Sequence, residues 1–159
     1  MTGIARIAFN TPTVSSIDEI LVIFKERELW VITGDGSISG GIPNFSLEQI
    51  DTTGCTSHAS IVEANGYLFW MNKRGIFLWD GAGKPIYISR QIENYFGIDG
   101  DIDASKLDEA WGKFFQKQNQ VIWYLSHKIY GEQKFALKLD LRLTLPSVKN
   151  TSGERIMHL

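Results

Sequence analysis

The chain has 159 residues, with 16 Lys and Arg against 18 Asp and Glu, three His and one Cys. That length suits one domain, a net charge of −2 offers no cationic excess for gripping nucleic acid, and Cys55 has no internal disulfide partner. At 43% apolar residues the chain can build a core, yet its longest clean apolar run, Ile20 to Phe24, falls far short of the ~20 residues of a membrane-spanning helix. Met1 to Arg6 lack the charged-then-apolar layout of a secretory signal. Five Trp, five Tyr and nine Phe sit mainly in short runs rich in β-branched residues, and 15 Gly outnumber four Pro. Aromatic and β-branched side chains suit a half-buried pleated surface and Gly suits the turns between strands, so the expectation is a mostly β protein.

Residues 1–16 hold the run Ile4, Ile7, Phe9 before the turn-like Asn10-Thr11-Pro12 and are expected to form an N-terminal strand or arm. A first unit follows: Glu19 to Phe24, a charged turn at Lys25 to Glu28, Leu29 to Gly34, and an outer strand at Phe45 to Ile50. The second unit is the clearest. Ser60 to Ala64 and Tyr67 to Met71 flank Asn65-Gly66, a strong hairpin signal because both central residues take positive φ. Turns at Asn72 to Gly75 and at Asp80 to Lys84 then separate Ile76 to Trp79 from Ile86 to Ile88. Ile92, Tyr95 and Phe96 at helical spacing predict a short amphipathic helix over 89–96, with Ser89 as N-cap and Gly97 as stop, and Ala104 to Trp111 adds a helical turn. The third unit runs through Gly112 to Gln116, a turn at Lys117 to Gln120, Val121 to Leu125 and a closing strand at Phe135 to Leu141. Residues 147–159 read as a polar tail.

These units repeat. Trp30 and Trp70 stand 40 residues apart, Trp70 and Trp123 stand 53 apart, and Leu139-Asp140 aligns with Trp79-Asp80. A period near 40–50 residues is that of four-stranded propeller blades. The predicted fold is therefore all-β and propeller-like: three antiparallel blades at about 17–50, 58–92 and 110–142 within a domain spanning 17–146, with a short helix between the second and third. Trp30, Trp70, Trp79 and Trp123 are the expected blade-packing residues, stacked through Trp-bearing second strands.

Chemistry-bearing patterns are sparse. His58, His127 and His158 are scattered without metal-ligand spacing, and no Gly-x-Ser-x-Gly elbow is present. Gly81-Ala82-Gly83-Lys84 lacks the spacing of a phosphate loop and runs into Pro85, so it reads as a hairpin turn. Asp99, Asp101 and Asp103 open like a calcium loop, but Ala104 and Ala110 stand where Gly and Glu belong; the triplet is a weak Ca²⁺ candidate, read first as a solvated acidic connector. No cofactor and no catalysis are implied.

The stretches "LVIFKERELWVITG", "GCTSHASIVEANGYLFWMNKRGIFLWDGAGKPIYISRQIENYF" and "NQVIWYLS…FALKLDLR" resemble the β-propeller proteins of tailed-bacteriophage tails and head–tail connectors, of the stabilisation, plug and tail-nozzle type. The resemblance covers residues 17–142 and fits the phage propeller plan rather than any one member. It implies a structural virion component of the tail or neck, assembled in the bacterial cytoplasm, that makes β-sheet contacts with copies of itself or with other tail proteins. Propellers typically close with roughly four to eight blades, so three leave sheet edges to be covered by association. The alternative reading is a receptor- or glycan-binding module, with Asp35, Asn72, Arg74, Asp80 and Lys84 as loop contacts.

Overall fold

The structure, a computed structural model, describes residues 3–9, 18–34, 37–39 and 42–144. The described residues form three antiparallel sheets and one small hairpin. The first sheet is a meander of β1 (Gly3–Phe9), β2 (Asp18–Phe24) and β3 (Leu29–Thr33). A hairpin of β4 (Ile38–Ser39) and β5 (Ile42–Pro43) then intervenes before β6 (Ser46–Asp51) pairs with β3. The second sheet runs through β7 (Val62–Ala64), β8 (Tyr67–Asn72), β9 (Gly75–Trp79) and β10 (Ile86–Tyr87). The third holds β11 (Trp111–Phe115), β12 (Gln120–His127) and β13 (Gly131–Asp140), followed by a helical turn, α1 (Leu141–Thr144).

Turn chemistry fixes the middle sheet as its sequence predicts. Asn65 and Gly66 take φ of 55° and 78°, the positive values a tight two-residue hairpin demands. At the next turn Asn72 accepts from the Arg74 N–H at 2.8 Å, and Gly75 takes φ 136° where an added Cβ would lie 2.1 Å from Ser89 Oγ. Successive side chains of a strand point to opposite faces. Leu68, Trp70, Phe77 and Trp79 therefore pack with Val22, Phe24, Leu29 and Val31 of the first sheet. From the other face Phe69, Met71, Ile76 and Leu78 pack with Val121, Trp123, Leu125 and Leu139 of the third. The sheets thus stack face to face, and among the described residues only the middle one is covered on both sides.

Three expectations change. The N-terminal run is a strand, as one of the two expectations has it, but it lies within the first sheet: β1 pairs with β2 over seven registered positions, from Gly3 opposite Phe24 to Phe9 opposite Asp18. β2 is then the second strand of its sheet and Trp30 belongs to the third strand, not to the position held by Trp70 on β8 and Trp123 on β12. Trp30 is also only half buried, because Leu29 and Val31 take the inner face of β3. Finally, residues 90–96 are not a regular amphipathic helix but two 3₁₀ turns broken at Ile92 (φ −116°, ψ 17°). Ser89 does not cap them; its hydroxyl accepts from the Ile76 N–H at 2.9 Å and ties the segment to β9. The polar tail, 147–159, lies outside the described residues.

Phe24 and Phe69 are both fully buried on either side of the middle sheet's second strand. Truncation of either to Ala removes its contacts and leaves a cavity, so each variant is expected to lose about 3–5 kcal/mol in urea denaturation. A loss near zero for one of them would show that its joint is not packed as described.

Candidate functional site

The three sheets meet at the connector that leads from β6 into β7. Gly54 lies so close to the β2–β3 turn that an added Cβ would fall 2.2 Å from the Lys25 carbonyl oxygen. The Cys55 N–H donates to that same Lys25 carbonyl at 2.9 Å, and the Thr56 N–H donates to the Met71 carbonyl of β8 at 3.1 Å. In return, the Gly54 carbonyl accepts from the Trp70 indole N–H at 3.1 Å and from the Asn72 amide at 3.0 Å. The third sheet is held likewise. The Trp123 indole donates to the Ser60 carbonyl at 2.9 Å, and the Ser57 hydroxyl donates to the Ala110 carbonyl at 2.6 Å. Residues 54–60 therefore hydrogen-bond to all three sheets.

Cys55 sits within this junction, fully buried, its thiol donating to the Ser57 carbonyl at 3.0 Å. Burial pushes the thiol pKa up, so it is a packing group rather than a ready nucleophile. The sequence marks the junction only as a Gly-Cys pair; that its carbonyls receive two indoles depends on contacts up to 63 residues apart.

The two joints share one construction. Phe24 of β2 meets Trp70 of β8 edge to face, ring centroids 5.1 Å apart, and Phe69 of β8 meets Trp123 of β12 edge to face at 6.4 Å, both with 62° between ring planes. Trp79 is buried, and its indole donates to the Gly83 carbonyl at 3.1 Å, closing the β9–β10 turn. Trp30 differs: its indole donates to the Glu28 carboxylate at 2.8 Å and the Lys25 ammonium sits 5.1 Å from its ring. Lys25 and Glu28 pair at 2.6 Å across the solvated turn and hold the Glu28 pKa below its usual value.

The suggested loop contacts are not gathered into one site. Asn72 and Arg74 lie at the β8–β9 turn, whereas Asp80 and Lys84 lie beyond the far end of β9, a five-residue strand spanning about 17 Å. Asn72 is buried and its amide serves the Gly54 carbonyl and the turn, while Asp80 accepts from the Ala82 N–H at 3.1 Å. Asp35 lies outside the described residues. A cleft of about 490 Å³ opens between the β2–β3 and β8–β9 turns, lined by both charge signs, Glu26 and Glu28 with Arg27, Lys73 and Arg74.

The weak calcium loop is not assembled. Among the described residues no group of three or more His, Cys, Asp or Glu is placed to hold a metal ion. Asp103 instead caps the 3₁₀ turn of residues 104–109, accepting from the Ser105 N–H at 3.0 Å and hydroxyl at 2.6 Å, which lowers its pKa. His127 is buried and its Nδ1 accepts from the Ile129 N–H, His58 is exposed on another segment, and His158 lies outside the described residues. Gly81 and Gly83, with φ of 87° and 60°, form the expected turn. Among the described residues, no helix is long and apolar enough to cross a membrane. No protein-family model matches the chain, and no curated protein matches it.

Gly54→Ala drives a Cβ into fixed backbone atoms of the β2–β3 turn and is expected to lower the melting temperature by several degrees. Gly97→Ala, whose Cβ meets only Asn94 at 3.5 Å, should melt near the parent; equal melting of both variants would contradict the junction. Chelation of divalent ions should leave the melting temperature unchanged. The Asp103 cap, with its lowered pKa, supports the fold above the usual carboxylate range and is lost as pH falls through its folded pKa. Asp103→Asn should therefore keep more stability than Asp103→Ala, and a fall of several degrees on chelation would restore the calcium reading.

Proposed function

We propose that this chain is a structural component of a bacteriophage or prophage tail or head–tail neck, a propeller-like building block that packs against copies of itself or neighbouring tail proteins. One observation carries the reading: sheets are stacked by repeated aromatic joints, and the outer face of the first sheet keeps large apolar side chains exposed. The middle sheet is covered on both sides, while the outer faces leave Ile4, Leu21 and Leu47 of the first sheet exposed. Strands with both faces buried read as continuous apolar runs, as Tyr67 to Met71 does, whereas β2 and β3 bury one face and leave the other partly exposed. The sequence resemblance to phage propellers supplies the setting for those faces, a particle in which rigid β surfaces close a joint. The glycan-binding reading gains nothing, because its four described loop residues divide between opposite ends of β9.

The test is sedimentation of tailed particles from the bacterium that encodes the chain, with peptide mass spectrometry of each fraction. Peptides of this chain are expected in the particle band. Recovery only among free proteins, or retention of single chains on host polysaccharide, would overturn the proposal.

A further inference from the structure

We propose that residues 154–159 of this chain dock along the open edge of β13 and supply the third sheet with its fourth strand. This completes the sheet within a single chain and does not depend on the phage reading above.

The first and second sheets each hold four strands, whereas the third holds three and ends on β13. An edge strand presents a row of backbone N–H and C=O groups that another extended segment can pair with. Register shows which groups these are. The Leu141 N–H donates to the Asn119 carbonyl at 3.0 Å, so Leu139 and Leu137, two and four residues earlier, turn their backbone groups toward β12 as well. The amides of Ala136 and Lys138, one residue out of step, therefore face the open edge.

The middle sheet shows what a fourth strand does at this place. Leu139-Asp140 aligns with Trp79-Asp80, which sets Leu137 at the position of Phe77. Phe77 faces the preceding sheet and is 2% exposed, because β10 pairs beside it and the Tyr87 ring lies 5.3 Å from its own. Leu137 likewise faces the preceding sheet, yet Leu137 and its neighbour on that face, Phe135, are only half buried. Ile86 of β10, across the same core, is half buried too. These side chains form an apolar border with no strand beside it.

The chain continues where the other two sheets find their fourth strands. In both of those sheets the fourth strand follows the third in sequence, after residues 80–85 in the second sheet and after 34–45 in the first. The described residues end at Thr144, one helical turn beyond β13, and residues 145–159 follow. Asn150 to Gly153 are turn-forming residue types, and Glu154 to Leu159 match the six residues of β6 in length. In an extended segment Met157 and Leu159 share one face and suit the apolar border, while Glu154, Ile156 and His158 take the other. Pro146, which cannot donate to a ladder, lies well before this stretch.

Amide hydrogen exchange of the ¹⁵N-labelled full chain reads the edge residue by residue. The Ala136 and Lys138 amides should exchange as slowly as those of Leu137 and Leu139, which β12 already holds. Met157→Pro breaks the docked strand and should speed exchange at Ala136 and Lys138 about tenfold, the loss of one net hydrogen bond, while Leu137 and Leu139 stay slow and report an intact sheet. Cross-strand nuclear Overhauser contacts between residues 154–159 and 136–138 should appear within one chain, and they decide the matter if the variant unfolds. Fast exchange at Ala136 and Lys138 in the parent, or exchange there that Met157→Pro leaves unchanged, would overturn the proposal. So would contacts seen only between differently labelled chains in a mixed sample, which would make a second copy the occupant. The presence of the chain in particles is read separately.

Discussion

Burial of β8 and β9 on both faces is the constraint from which the rest of the structure follows. A sheet in that position has no wet side, so Tyr67 to Met71 and Ile76 to Trp79 are apolar almost without interruption. Burying each large side chain contributes roughly 1.5–3 kcal/mol, and each edge-to-face ring pair about 0.5–1.5 kcal/mol more. The difficulty is polar. A buried indole N–H needs an acceptor, and the carbonyls within a sheet are already used by neighbouring strands. The connector of residues 54–60 resolves this because it is largely outside strand pairing, so the Gly54 and Ser60 carbonyls are free to accept from Trp70 and Trp123. The same segment reaches the β2–β3 turn through Cys55, which is why Gly54 can carry no side chain.

The chemistry that joins the first sheet to the second also joins the second to the third: a phenylalanine of one second strand meets a tryptophan of the next edge to face. Trp111 and Tyr124 at one limit, and Ile23, Trp30 and Leu47 at the other, are half buried or exposed in the single chain. Its polar loops lie at different ends of the sheets, and the outer face of the first sheet sets exposed Ile4, Leu21 and Leu47 beside Arg6 and Gln49.

The middle sheet was legible in the sequence almost strand for strand, because Asn65-Gly66, Asn72 to Gly75 and Asp80 to Lys84 punctuate it with residues whose turn geometry is local. The third sheet was legible for the same reason, its β11–β12 turn passing through Asn119 at positive φ. The first was misread by one strand. Its Trp30 matches Trp70 in spacing, but spacing does not reveal that Gly3–Phe9 takes the first position, a choice made by seven cross-strand pairs. The loop residues were misplaced by a related limit: successive turns of a meander fall at alternate ends, so Asn72 and Asp80, near in sequence, are far apart in space. The junction at 54–60 was visible only as Gly-Cys, since its partners lie on strands that only the fold brings together.

Hydrogen exchange of the indole N–H groups in ¹⁵N-tryptophan-labelled protein tests the stacked arrangement most directly. Trp70 and Trp123, each donating to the connector from a fully buried position, should exchange slowest and only through global opening, with Trp30 exchanging faster. If Trp70 or Trp123 exchanged as fast as Trp30, its sheet would not be fastened to residues 54–60, and the stack described here would be wrong.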